Sequence, residues 1–194
     1  MVSYLPNRRK QTLSQSVIPS SLLQWAKSDA PCDERLAALV ELYGVALDCK
    51  RCILYGREPD LRRANTTHAW WSQEKPEYAV TWESWFSSDW VDEGPPNAED
   101  PLYSAALRDP SPIYISDIEN DPTGLVNVEF ERRVFFHSAL IHAPVYHDGK
   151  CYGILEPSSF GAPREWTSAD RAITEWTLQR LGPIVAEYVK QYGP

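Results

Sequence analysis

Residues 130–170 read FERRVFFHSALIHAPVYHDGKCYGILEPSSFGAPREWTSAD, and no other part of the sequence is as informative about the fold. Two runs rich in β-prone residues, 139–146 and 151–156, flank Asp148-Gly149, a dipeptide that suits a two-residue turn with positive φ. The stretch therefore predicts a β-hairpin, preceded by a short helix and followed by a Pro-Arg-Glu-Trp loop.

The turn also fixes the expected pairing of the two strands. If His147 faces Lys150, then Ile141 lies opposite Glu156. Side chains alternate between the two faces of a strand. This register therefore predicts that Glu156 and His142 point to different sides of the sheet.

The loop leads into the last helix of the chain. Thr167 and Asp170 have the spacing of a capping box, so we predict a helix over residues 168–192. The Gly182-Pro183 pair inside it predicts a kink or a division into two helices.

The remaining elements are predicted from their apolar periods and turn residues. Leu36, Leu39, Val40, Tyr43 and Leu47 form one stripe of a helix in residues 33–47. An accessory helix is expected after Pro19, and strands are expected at residues 51–55, 65–71 and 112–118.

Length and composition favour one globular domain. The 194 residues are 43% hydrophobic and 24% charged, without an internal repeat, so we predict an arm with a short helix at 1–30 and a single domain at 31–194. A net charge of −8 disfavours nucleic acid as a partner, and no apolar run is long enough to cross a membrane. We expect a cytoplasmic protein.

The four cysteines do not predict a metal site or a disulfide framework. Cys49 and Cys52 form a lone Cys-x-x-Cys without a second pair, and Cys32 and Cys151 are isolated. We predict reduced cysteines that pack as small apolar side chains.

Aromatic residues are concentrated in the middle of the chain. Tyr78, Trp82, Trp85, Phe86 and Trp90 recur at helical spacing. Two interpretations remain open: the rings cover the sheet as part of the core, or they line a pocket for a planar or apolar ligand.

These parts together resemble a GAF domain. The resemblance is carried by Asp100-Pro101-Leu102-Tyr103, the 112–118 strand and the 138–153 hairpin, while residues 153–166 are most similar to the bilin-binding GAF domains of cyanobacterial photoreceptors. It implies an α+β fold: a central antiparallel sheet with terminal helices on one face, and a pocket under loops and short helices on the other.

The sequence departs from those photoreceptors where they attach a bilin. Asn127 stands at the position of their bilin-bonding thiol, Leu102 at that of a second thiol, and Ser158 at that of a pocket histidine. We therefore expect no covalent bilin and no other cofactor, whereas non-covalent tetrapyrrole binding stays open.

The resemblance and the predicted register nominate a ligand-binding set and no catalytic or metal-binding residue. Glu156 is either a ligand anchor or a carboxylate that reaches solvent at the strand end, and His142 is interpreted as a hydrogen-bonded core histidine. The nominated ligand-binding residues are Trp82, Trp85, Asp100, Tyr103, Ile141, Ile154, Glu156 and Ser158.

We expect a non-enzymatic sensory or regulatory module that binds a small molecule or a protein partner and signals through its terminal helices. A degenerate adaptor with a side-chain-filled pocket is the alternative, and a thiol-dependent methionine sulfoxide reductase is disfavoured because the cysteines are scattered. A homodimer through the terminal helices is expected from their apolar residues, which are Leu22, Leu23, Trp25, Ile173, Trp176, Ile184 and Tyr188.

Overall fold

The computed structural model describes residues 17–79, 89–93 and 100–194. Its strands are β1 (Arg51–Glu58), β2 (Arg63–Trp71), β3 (Val91–Asp92), β4 (Ile113–Ile115), β5 (Ala139–His147) and β6 (Lys150–Ser159). They form one antiparallel sheet in the order β3-β2-β1-β6-β5-β4. Asp148 and Gly149 have φ values of 47° and 76°, which confirms the predicted hairpin turn.

Three helices cover one face of the sheet: α1 (Ser20–Trp25), α2 (Cys32–Ala46) and α5 (Ser168–Tyr192). The predicted apolar stripe of α2 is buried against the sheet, and the capping box of Thr167 and Asp170 begins α5 as expected. Leu22 and Trp25 of α1 are buried in the same core. We call this the helix side of the sheet.

Among the described residues, two short helices belong to the opposite face, α3 (Pro101–Ala106) and α4 (Val128–Val134). Leu102 of α3 packs with Leu140 of β5, and Val128 of α4 packs against the same small apolar cluster. A 3₁₀ turn at Pro76–Tyr78 precedes residues 80–88, which lie outside the described residues. We call this second face the pocket side, because the family resemblance predicts the pocket there, and the arrangement confirms the predicted α+β class.

A β-bulge in the hairpin corrects the predicted register. Val145 pairs with Gly153 and Tyr146 with Cys151, so Tyr152 is an extra residue on β6. Beyond the bulge every pairing is displaced by one residue relative to the prediction.

The displacement changes which side chains share a face. His142 now lies level with Glu156, because the flanking pairs are Ala143 with Leu155 and Leu140 with Ser158. His142 and Glu156 therefore lie on the same face, which the predicted register had separated.

Ile141 is corrected for the same reason. It faces α2 and α5 within the helix-side core, so it does not share a face with Glu156.

Helix α5 continues through Pro183 as one helix, so the predicted division does not occur. Leu181, Ile184 and Val185 pack into the helix-side core and hold both halves on the sheet. A Cβ on Gly182 would lie 2.2 Å from the carbonyl oxygen of Tyr146. Gly182 is therefore required for the close approach of α5 to β5.

The residues nominated for a dimer interface are used within the domain. Ile173 and Ile184 are buried in the helix-side core, and Trp176 and Tyr188 pack against it. The same core also buries Leu22 and Trp25, and Leu23 packs against it. Of the helices in the described ranges, none combines the length and apolar character needed to span a membrane.

Candidate functional site

Polar side chains are buried together on the pocket side of β1, β5 and β6 and under α4. Each is at most 5% exposed, although charged residues are seldom buried so deeply unless they are paired. We call them the polar cluster: Arg51, Glu131, His137, His142, Glu156 and Ser158.

His142 and Glu156 form an ion pair at the centre of the cluster. Nδ1 of His142 donates to Oε2 of Glu156 across 2.9 Å. Burial opposes charge on both groups, but the bond to Glu156 raises the pKa of His142 and the bond to His142 lowers the pKa of Glu156. The geometry therefore favours an imidazolium and a carboxylate.

His137 connects this pair to α4. Its Nε2 donates to Oε2 of Glu131 at 2.7 Å, and its Nδ1 is hydrogen-bonded to Oγ of Ser158 at 3.2 Å. The same Nδ1 lies 3.9 Å from Oε1 of Glu156. The chain of contacts thus runs from α4 through β6 to β5.

Two atoms of the ion pair are left without a hydrogen-bond partner among the described residues. They are Nε2 of His142 and Oε1 of Glu156, and both are shielded from solvent. A protonated imidazole has a donor on each nitrogen, and a carboxylate oxygen accepts. Leaving such groups unsatisfied costs about 1–3 kcal/mol each, so a further polar partner at these atoms would stabilise the folded protein.

Arg51 supplies the positive charge at the other end of the cluster. Its Nη2 donates to the carbonyl oxygen of Phe135 at 2.9 Å, and its guanidinium lies 4.9 Å from the ring centroid of Phe160. Burial lowers the pKa of Arg51, while the charges of Glu156 and Glu131 oppose that shift. Arg51 therefore offsets part of the buried negative charge.

Of the nominated residues near α3, each has a partner in the fold. Asp100 caps α3 by accepting from the backbone N–H of Tyr103 at 2.9 Å, and burial raises the pKa of its carboxyl. The hydroxyl of Tyr103 donates to Oε1 of Glu93 at 2.7 Å, and Glu93 is also paired with Arg57. The Tyr103 hydroxyl is thus already engaged.

The nominated residues are only partly brought together. Glu156, Ser158 and Ile154 lie on the pocket side of β6, Ile141 lies on the helix side, and Trp82 and Trp85 lie outside the described residues. The interpretation of Glu156 as a solvent-reaching carboxylate is wrong, because its side chain is 5% exposed.

The sequence prediction missed Arg51, Glu131 and His137 as members of the site. A charged residue at the start of an apolar strand, as Arg51 is in RCILY, was the available signal. His142 is hydrogen-bonded as expected, but on the opposite face from the predicted one.

Tyr78 and Trp90, the first and last residues of the aromatic series at helical spacing, make contacts in different parts of the fold. Tyr78 packs on Phe160 with ring centroids 4.7 Å apart. Trp90 packs against the helix-side core and donates to the carbonyl oxygen of Tyr192 at 3.1 Å. The three rings between them, at 82, 85 and 86, lie outside the described residues.

All four cysteines are free and buried. Cys32, Cys49 and Cys52 belong to the helix-side core, and burial raises the pKa of Cys49 to about 12. Burial also raises the pKa of Cys151. These shifts disfavour thiolates, and no group of three or more histidine, cysteine or acidic residues in the described ranges is arranged to hold a metal ion.

The three residues that the sequence analysis places at bilin-attaching positions have defined contacts in the fold. Asn127 caps α4 by accepting from the backbone N–H of Phe130 at 3.2 Å. Leu102 is buried in the pocket-side apolar cluster, and Ser158 is bonded to His137. None of these side chains is a thiol.

Comparisons with known protein families and solved structures agree with the fold described above. The GAF domain family model matches residues 31–182. A comparison with curated protein sequences gave no match.

Solved structures of three kinds are similar to the chain. The GAF domain of an Acinetobacter phosphoenolpyruvate-protein phosphotransferase has a TM-score of 0.62 and 13% identity, and the match covers 89% of this chain and 92% of that chain. A GAF domain of Synechocystis sp. PCC6803 in its photoproduct state has a TM-score of 0.60, 18% identity and coverages of 84% and 99%.

The third is a free methionine-R-sulfoxide reductase of Neisseria meningitidis in complex with its substrate, with a TM-score of 0.61, 13% identity and coverages of 88% and 89%. At such identities the likeness concerns the fold alone, since one fold supports several activities.

Proposed function

Because the chain belongs to the GAF domain family, we propose that it is a non-enzymatic sensory or regulatory module that binds a small molecule on the pocket side of its sheet. The observation that carries this proposal is the buried pair of His142 and Glu156, each with one polar atom lacking a hydrogen-bond partner in the described part of the chain. A bound ligand would satisfy both atoms and recover the cost of burying them.

A signal from this side would reach the terminal helix through β5. The hydroxyl of Tyr146 donates to the carbonyl oxygen of Ala106 in α3 at 3.0 Å. The carbonyl oxygen of the same tyrosine meets α5 at Gly182. If a ligand displaced α3, the displacement would therefore be transmitted to α5 through Tyr146.

The cysteines support the non-enzymatic form of the proposal. A thiol-dependent reductase needs an accessible thiolate beside its substrate. Cys32, Cys49 and Cys52 lie on the helix side of the sheet, and Cys151 is buried near the hairpin turn. The hydrogen bonds of Cys32, Cys49 and Cys151 go to residues outside the polar cluster.

An adaptor with a filled pocket is the second candidate. The specific observation in its favour is that the Tyr103 hydroxyl, nominated for ligand contact, is already bonded to Glu93. If two copies associate through the terminal helices, they would use exposed side chains such as Tyr192 of α5, which is 46% exposed.

Thermal denaturation with fractionated low-molecular-weight extracts tests the proposal. A ligand in one fraction is expected to raise the melting temperature of the wild type, because binding only the folded state stabilises it by mass action. Glu156→Gln is expected to abolish this increase, and the matched surface control His147→Gln to retain it. No increase with any fraction would contradict ligand binding and favour the adaptor.

A further inference from the structure

The ion pair offers two different hydrogen-bonding functions, one from each partner. With Nδ1 of His142 engaged by Glu156, Nε2 of the imidazolium remains as a donor. Oε1 of Glu156 remains as an acceptor, since it has no hydrogen-bond partner among the described residues and Nδ1 of His137 lies 3.9 Å away. A ligand that satisfies both atoms must bring an acceptor and a donor.

Charge restricts the ligand further. An anionic group could accept from His142, but its charge would be repelled by Glu156 in a site with little water to screen it. A cationic group could donate to Glu156, but His142 and Arg51 would repel it. Each charged group would thus satisfy one atom of the pair and oppose the other.

The surroundings of the pair are largely apolar. Ile53 lies opposite Glu156 on β1, Ile113 lies opposite His142 on β4, and Ile154 is buried on the same face of β6. An apolar body with a small polar edge therefore matches this part of the sheet.

We propose that the small molecule is recognised through neutral polar groups, an acceptor that meets Nε2 of His142 and a donor that meets Oε1 of Glu156, of the kind that carboxamides, lactams and N–H heterocycle carbonyls supply. The inference rests on the proposed function and adds the chemical class of the recognised group. Specificity for a neutral ligand follows because a site with paired buried charges rejects a ligand that leaves one of them unmatched.

Three probes of similar shape and different charge test this inference: benzamide, benzoate and benzylamine. The wild-type protein, labelled with ¹⁵N in histidine, is titrated with each probe at pH 6, and the side-chain resonances of His142 are followed. Benzamide is expected to shift the Nε2 resonance of His142 at concentrations at least about tenfold below those at which either charged probe acts.

Glu156→Gln and the control His147→Gln provide the matched variants. Glutamine removes the negative charge and adds a donor, so the preference for benzamide over benzoate is expected to fall by about tenfold or more in Glu156→Gln and to be unchanged in His147→Gln. The wild-type titration remains decisive if Glu156→Gln does not fold.

The inference would be overturned if benzoate or benzylamine shifted the His142 resonance more strongly than benzamide. It would also be overturned if none of the three probes shifted that resonance. The proposed function is tested separately by the extract fractions. A stabilising ligand that bears a charged contacting group would leave the sensor function standing and reject only the neutral recognition group.

Discussion

Nδ1 of His142 lies 2.9 Å from Oε2 of Glu156, and this contact joins β5 and β6 on the face of the sheet away from α5. The pair exists because Tyr152 bulges from β6 and shifts the register by one residue. The charges of Asp100 and Glu131 also raise the pKa of His142, and the charge of Arg51 also lowers the pKa of Glu156. It is the feature on which the ligand-binding proposal depends.

The stability contributed by this pair is expected to depend on pH. Folding raises the pKa of His142, so its contribution is fully present below the unfolded value of about 6.5 and is lost as pH rises through the folded value. Folding lowers the pKa of Glu156, so its contribution is present above about 4.3 and is lost as pH falls through the folded value.

Urea unfolding of the wild type and His142→Gln at pH 5.5 and pH 8.5 measures this dependence. The variant should lose more unfolding free energy at pH 5.5, by about 1 kcal/mol or more. Burial lowers the pKa of His68, but His68 is present in both proteins, so its contribution cancels in the difference between their unfolding free energies. An equal loss at both pH values would contradict the charged state of the pair.

The Tyr146 hydroxyl is expected to hold α3 on the sheet. Tyr146→Phe removes its bond to Ala106 and should cost about 1 kcal/mol, with faster amide hydrogen exchange in residues 101–106. Tyr152→Phe is the matched control, because its ring packs against the helix-side core. Unchanged exchange in Tyr146→Phe would remove the link between α3 and β5.

Gly182 is expected to be intolerant of a side chain. Gly182→Ala places a Cβ where the carbonyl oxygen of Tyr146 now lies, so α5 must move away from β5 at a cost of about 3 kcal/mol. Ala186→Gly on the same helix should cost only about 1 kcal/mol. Chemical denaturation compares the two variants, and a neutral Gly182→Ala would show that the helix and strand are not in tight contact.

The four thiols are expected to be unreactive in the folded protein. Burial raises the pKa of Cys49 to about 12 and shields the other three as well. Modification by a disulfide reagent should be at least about 100-fold slower in the native protein than in guanidinium chloride. A thiol that reacts rapidly under native conditions would contradict this prediction and favour the reductase interpretation.

The fold was largely predictable because its signals are local. Asp148-Gly149 specified a turn, Thr167 and Asp170 specified a helix start, and the apolar stripe of 33–47 specified a core helix. Each of these depends on residues that are close together in the chain.

The candidate site was less predictable because it depends on one bulged residue and on contacts between distant segments. Nothing in the sequence identifies Tyr152 as the extra residue of β6, yet its insertion reverses the face of every β5 side chain beyond it relative to Glu156. Arg51 and Glu131 approach the site only after β1 and α4 have packed on the same face.

Native mass spectrometry of the gently purified protein measures whether a small molecule is bound at the pair of His142 and Glu156. The wild type and His147→Gln are expected to carry a small molecule at a ratio of one per chain, and Glu156→Gln is expected to carry little or none. A bare polypeptide mass for the wild type after incubation with every extract fraction, or a ligand retained undiminished by Glu156→Gln, would contradict this expectation.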